Sequence, residues 1–183
     1  MKKWLRENRS FLLFMFALLV ARSSFADHYV VPSGSMEHTL LPGDRVMVDK
    51  HAYGLRIPFT LVKIIPGDSP KRGDVIVFDA PDSGTRLIKR VVAVGGDLLE
   101  VRDGHVLVNG VPGDTKANLD LTMGGGPDVA PVRVPAGDVF AMGDFRGNSR
   151  DSRYFGFVRE DAIYAKASRV YYRSGEGFVW KPL

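Results

Sequence analysis

Apolar positions divide the chain into two unlike parts. Phe11 to Ala21 is an unbroken run of eleven apolar residues. From Tyr29 onward, apolar residues come instead in short β-branched runs: 29–31, 45–48, 74–78, 87–94, 98–101, 105–108, 139–142 and 165–172. Pro-Gly-Asp, Arg-Gly-Asp, Gly-Gly-Asp and Asn-Gly turns separate them, the punctuation expected of strands. The sharpest expectation is a hairpin from His105 to Val111 that turns at Asn109-Gly110. Beyond one possible helical turn at Arg159 to Tyr164, the folded part has no helical period. The pattern therefore predicts a mainly β domain of antiparallel sheets, in two layers or as a distorted barrel, preceded by a short apolar N-terminal segment. Residues 112–131, with Gly124-Gly125-Gly126-Pro127 in their middle, carry little apolar pattern. They read as a mobile excursion, and 102–137 as a whole reads as a small excursion or a reduced second domain.

Charge sharpens the first part. The chain's formal charge of +4 is unevenly spread, because Lys2, Lys3, Arg6 and Arg9 face only Glu7 in the first ten residues. A near-neutral folded part argues against nucleic acid, which needs basic residues gathered on the domain itself. A basic start followed by an apolar run marks either a cleavable signal peptide or a membrane anchor, and both export the rest of the chain. Eleven helical residues cover only roughly 16 Å of an apolar layer about 30 Å thick. Ser24-Phe25-Ala26 also has the small-x-small form of a cleavage site. An anchor becomes long enough if it extends to Ala26 with Arg22 snorkelling and Trp4 at the near interface. On the anchor reading the organisation is a basic cytoplasmic segment (1–10), one short N-terminal transmembrane helix as the anchor (11–26) and an extracytoplasmic domain (27–183); on the signal-peptide reading the first two are cleaved away. The chain has no cysteine, which removes disulfides, thiolate metal sites and cysteine nucleophiles together.

Candidate chemistry gathers in three glycine-, serine- and charge-rich segments. In Pro32 to Met36, proline and glycine bend the backbone around Ser35, so that its hydroxyl and a neighbouring N–H can project together, as acyl transfer requires. The same residues also make an ordinary loop. A nucleophilic serine needs a base, and the four histidines are poorly placed. His38 lies three residues from Ser35, His51 and His105 fall among turn and surface-strand residues, and His28 sits at the end of the apolar start. No Gly-x-Ser-x-Gly elbow is present. Lys89, inside the β-branched run Leu87 to Val94, is either an exposed strand lysine or an amine held in an apolar face. At its reference pKa only roughly one lysine in 2,500 is neutral at pH 7, and burial can lower that pKa by up to about 3 to 5 units. Ser149, in the third segment from Gly143 to Arg153, offers a hydroxyl that could hold the amine toward Ser35.

Taken in order, these segments resemble the type I signal peptidases, from about Val30 to Val158. The resemblance rests on Pro32 to Met36 with Thr39-Leu40, on Arg72 to Phe78 with Ile88-Lys89-Arg90 and Gly96-Asp97, and on Gly143-Asp144, Asn148-Ser149, Asp151 to Arg153 and Gly156. It implies a membrane-bound serine endopeptidase that removes signal peptides after small residues, on the outer face of the bacterial cytoplasmic membrane. Ser35 would be the nucleophile and Lys89 the general base. Ser33 would add its hydroxyl to an oxyanion hole beside the Ser35 N–H, and Ser149 would orient Lys89. Arg90 would pair with Asp144, and Arg153 with Asp151. Val31, Met36 and Ile88 would wall shallow substrate pockets.

The resemblance also favours an anchor over a cleaved signal peptide, with the N-terminus cytoplasmic. Its expected partners are signal peptides of exported preproteins, membrane lipid and nearby secretion machinery, with no cofactor, metal or nucleic acid. His38 stands where the family usually has proline and Phe145 where it often has asparagine, and the segment between Val101 and Val139 is short. Two rival readings use the same residues: a peptidase restricted to a substrate such as a conjugative pilin, and an exported β-rich binding module in which Lys89 is exposed.

Overall fold

The computed structural model describes residues 4, 8–15, 26–56, 63–114 and 118–183. Among the described residues there are fourteen strands, and every ladder between them is antiparallel. The main sheet has eight strands. Its order is β1 (Ala26–Val30), β2 (Arg45–Asp49), β13 (Ile163–Arg173), β5 (Val75–Asp79), β6 (Arg86–Val94), β11 (Asp138–Met142) and β12 (Val158–Arg159), with β14 (Gly177–Pro182) on β13. A second sheet runs β10 (Val129–Arg133), β7 (Leu98–Arg102), β8 (His105–Val108) and β9 (Val111–Pro112). The third is the pair β3 (Gly54–Arg56) and β4 (Lys63–Pro66).

Central position explains β6. It lies between β5 and β11, and its residues Ile88 to Ala93 are all buried. A strand covered on both faces shows a continuous apolar run rather than an alternation. Lys89 and Arg90 break that run, so two cations lie inside a buried strand. The two larger sheets share a core. Val92, Ala93, Phe140 and Met142 of the main sheet pack with Leu99, Val101, Val106 and Val108 of the second.

The expected hairpin forms, with Val108 opposite Val111 and Asn109 and Gly110 at φ +54° and +80°. Both central residues are left-handed, as a tight two-residue hairpin demands. An added Cβ at Gly110 meets nothing, so Gly110→Ala tests backbone conformation alone. It is expected to cost about 1 kcal/mol, read as a lower urea midpoint at unchanged slope.

The described residues bear on three expectations. The strands do not close into a barrel, because β1 and β12 at the ends of the main sheet share no ladder among the described residues. The second sheet covers part of its face instead. Of the expected anchor 11–26, residues 11–15 are helical, Ala26 already belongs to β1, and 16–25 lie outside the described residues. No helix among the described residues is long and apolar enough to cross a membrane. Within the expected excursion, Asp120 is tied to the main domain: its N–H donates to the Asp144 carbonyl, and its carbonyl accepts from the Arg146 N–H, both at 3.0 Å.

Candidate active site

Three pieces of chain converge beside β6. The first is the 3-10 turn Gly34–Met36, which follows β1 and carries Ser35. The second is β6 itself, and the third is the loop that leaves β11 at Gly143 and ends in the short helix Ser152–Phe155. Ser35 is 8% exposed and Lys89 2%. The Lys89 Nζ donates to Ser35 Oγ at 2.5 Å, although the residues lie 54 positions apart. Its strand partner across the ladder is Ile76, which is fully buried.

Burial brings the Lys89 amine down to about 8 from 10.5. The charges of Asp151 and Asp144 oppose the shift, and that of Arg153 adds to it. Loss of hydration penalises the ammonium more than the carboxylates repay it. About one amine in ten is then neutral at pH 7, against roughly one in 2,500 for an ordinary lysine.

Asp144 and Asp151 organise the rest. Arg90 pairs with Asp144 at 2.8 Å, as expected, and its Nη1 also donates to the Gly73 carbonyl. Thr39 Oγ1 completes that set by donating to Asp144 at 2.5 Å. The expected Asp151–Arg153 pair is likewise present at 2.8 Å with both side chains fully buried. Asp151 also accepts from the Gly143 N–H, the Arg153 N–H and the Ser149 hydroxyl.

Ser149 therefore lies differently from the expectation. Its hydroxyl donates to Asp151 at 2.7 Å, and no hydrogen bond joins it to Lys89 among the described residues. The reason is local: Asp151 is only two residues away and aims its carboxylate back at the loop. Ser149 is still close to the turn that carries Ser35 through Gly143, where an added Cβ would lie 2.3 Å from Ser149 Oγ and 2.4 Å from the Ser35 carbonyl oxygen. Only glycine fits between them.

Ser33 is exposed, and its Oγ is 3.5 Å from Ser35 Oγ, a long contact. No protein acceptor takes the Ser35 N–H among the described residues. Val31, Met36 and Ile88 lie in one packed core with Leu40, Val46 and Val77. They form an apolar bed behind the turn rather than open walls. His38, His28 and His51 approach Asp120, Asp27 and Asp49 respectively, so these three imidazoles are directed elsewhere.

Sequence reasoning passed over Thr39, Asp120, Gly143 and Arg146. Arg146 is almost wholly buried, with Nη2 on Asp114 at 2.9 Å and Nη1 on the Gly104 carbonyl. Its partners lie 32 and 42 residues away, beyond any local pattern. Thr39 stood within a recognised motif without a role.

A desolvated amine on a buried hydroxyl, with a free N–H on the same residue, is chemistry suited to a hydrolase acting through a side-chain oxygen. The model of the signal peptidases, peptidase S26, matches residues 1–172. Over 206 residues the chain is 34% identical to signal peptidase I of Pseudomonas fluorescens, spanning 90% of this chain and 71% of the relative. It is 36% identical over 201 residues to signal peptidase I of Pseudomonas aeruginosa, with the same two shares. Among solved structures, a signal peptidase I from Enterococcus faecalis is 30% identical, with a TM-score of 0.43, over 61% of this chain and 97% of that one. The chain belongs to the signal peptidase family, peptidase S26, and is a peptidase.

Proposed function

We propose that this peptidase removes N-terminal signal peptides from exported preproteins by cutting after small residues, with Ser35 as nucleophile and Lys89 as general base. The observation that carries this reading is the 2.5 Å contact between Lys89 Nζ and Ser35 Oγ inside a buried strand. In the neutral amine the lone pair takes the Ser35 proton as Oγ attacks the scissile carbonyl carbon. The C–N bond then breaks, the Lys89 ammonium returns that proton to the departing amine, and an ester on Ser35 remains. Water attacks the ester while Lys89 accepts its proton, and the proton goes back to Ser35 Oγ as the acid leaves.

The free Ser35 N–H and the Ser33 hydroxyl serve the oxyanion. Asp144 with Arg90, and Asp151 with Arg153, brace the strand and loop, and Ser149 acts on the lysine at one remove, through Asp151. The filled core at Val31, Met36 and Ile88 leaves little depth for a large side chain, in keeping with cleavage after alanine-sized residues. The apolar segment that begins at Phe11 and ends before β1 holds the enzyme in the bacterial cytoplasmic membrane with its N-terminus inside. The peptidase domain then works on the outer face, where lipid, secretion machinery and signal peptides meet.

The test uses the full chain in phospholipid with two preproteins, one carrying Ala-x-Ala before the cut and one with phenylalanine in place of the second alanine. Mass spectrometry should find cleavage after the second alanine in the first and none in the second. The rate should rise about tenfold per pH unit up to about pH 8 and then level, as the amine loses its proton. Equal cutting of both preproteins would remove the specificity, and a plateau already reached at pH 6 would remove the lysine.

A further inference from the structure

His38 stands at a position the chemistry above does not use, and its imidazole is bound all the same. Its Nε2 lies 3.0 Å from Asp120 Oδ2, with the His38 side chain 70% exposed and the Asp120 side chain 7%. The other Asp120 oxygen, Oδ1, is already occupied by the Thr122 N–H at 2.8 Å and the Thr122 hydroxyl at 2.7 Å. Those two bonds, the backbone one foremost, hold the Asp120 carboxyl below the usual carboxylate range, with a smaller contribution from His38. A fixed, ionised carboxylate therefore meets an imidazole that reaches it from another part of the chain.

The backbone of Asp120 is fixed as firmly. It bonds Asp144 and Arg146 on either side of Phe145, and Phe145 in turn donates its N–H to the Ser35 carbonyl at 3.2 Å. The turn that carries Ser35 is thus tied down at three nearby residues. Ser35 is held by the Phe145 N–H, Thr39 by Asp144, and His38 by Asp120. The first two ties run to the β11 loop directly. The third runs to a separate segment that itself grips that loop.

We propose that His38 and Asp120 are positioning residues for Ser35: a side-chain clasp that joins the nucleophile turn to the segment around Asp120 and keeps the serine hydroxyl on the lysine. The proposal rests on Ser35 being the nucleophile. The clasp lies outside the reacting atoms, so it acts on the rate of acylation and leaves substrate affinity alone. A hydroxyl displaced by a fraction of an ångström meets its carbonyl less often in reactive geometry. Glu37, the other charged group on the turn, folds back over Gly34, so its carboxylate does not replace Asp120 at the imidazole.

Exposure of His38 makes it the safer residue to change, since truncating it opens no cavity. With a small-residue peptide substrate, His38→Ala should lower kcat about fivefold with KM within about twofold. His38→Gln, which can still donate to the carboxylate, should recover most of that loss. His38→Ala combined with Asp120→Asn should be no slower than the slower single variant, because both remove one interaction. In amide spectra of the full chain in micelles, the Ser35 N–H resonance should move in both single variants. That reading needs no chemistry, so it decides the clasp even if Ser35→Ala still cleaves and the dyad falls. Multiplying kinetic losses, or a Ser35 resonance unmoved in His38→Ala, overturns the clasp.

Discussion

Ser35→Ala and Lys89→Met are each expected to reduce cleavage by about 10⁴-fold or more, to the residual rate that binding and oxyanion contacts alone support, yet the two variants should part on stability. Ser35→Ala leaves the buried amine without its hydroxyl and costs about 1 kcal/mol. Lys89→Met replaces a desolvated amine by a side chain of similar length suited to an apolar strand. The wild-type amine is lowered from 10.5 to about 8, which corresponds to about 3 kcal/mol of strain against the fold. The sign follows from proton binding. Between about pH 8 and 10.5 the unfolded lysine holds its proton while the folded one has lost it, so stability rises with pH across that window. Below about pH 8 the whole penalty is present. The gain from Lys89→Met is therefore greatest at neutral pH and fades toward pH 10.5. Urea unfolding at pH 7 and pH 10.5, with preprotein cleavage run alongside, reads both effects. An inactive Lys89→Met protein no more stable than wild type at pH 7 would mean that the amine is not held in a desolvated place.

Asp151→Ala is expected to destabilise the fold by about 3 to 5 kcal/mol, the cost of leaving a buried guanidinium without its carboxylate. Asp151 is fully buried and receives bonds from Gly143, Ser149 and Arg153. Arg153 keeps the Gly125 and Arg146 carbonyls, which hold the guanidinium but do not neutralise it. Asp151→Asn preserves the shape and removes the charge, and carries a second, separable consequence. Asp151 is the largest of the charges that hold the lysine amine up. Without it the amine loses its proton more easily, so the rise of rate with pH should shift to lower pH while thermal stability falls. A profile that stays in place would mean that Asp151 serves the loop alone.

Most of the strands could be read from the chain because β-branched runs bounded by turn residues have few alternatives. One of the missed strands carries a contrary signal. Pro131 sits in the middle of β10 and argued against a strand, and β10 is indeed an edge strand of its sheet, where a missing N–H is tolerated. Asp103-Gly104, both at positive φ between β7 and β8, is a second hairpin turn as plain in the sequence as Asn109-Gly110. Site residues divided in a similar way. The pairs Arg90–Asp144 and Asp151–Arg153 came with the motif resemblance. Asp120 and Arg146 did not, since each acts across more than twenty residues of chain on partners of ordinary type. Ser149 was singled out as a partner for Lys89, but the acceptor its hydroxyl takes, Asp151 two residues on, was not weighed.

The strand that begins at Ala26 has a geometric consequence for delivery of the substrate. β1 is laddered to β2 along its whole length, so it is a stiff stem and not a slack tether. Ser35 lies nine positions beyond Ala26, and nine steps of chain reach at most about 30 Å even when fully drawn out. If the preceding residues are held in a bilayer, Ser35 has a fixed and short working height above it. A scissile bond that emerges farther out than that must be drawn back toward the surface before it can be cut.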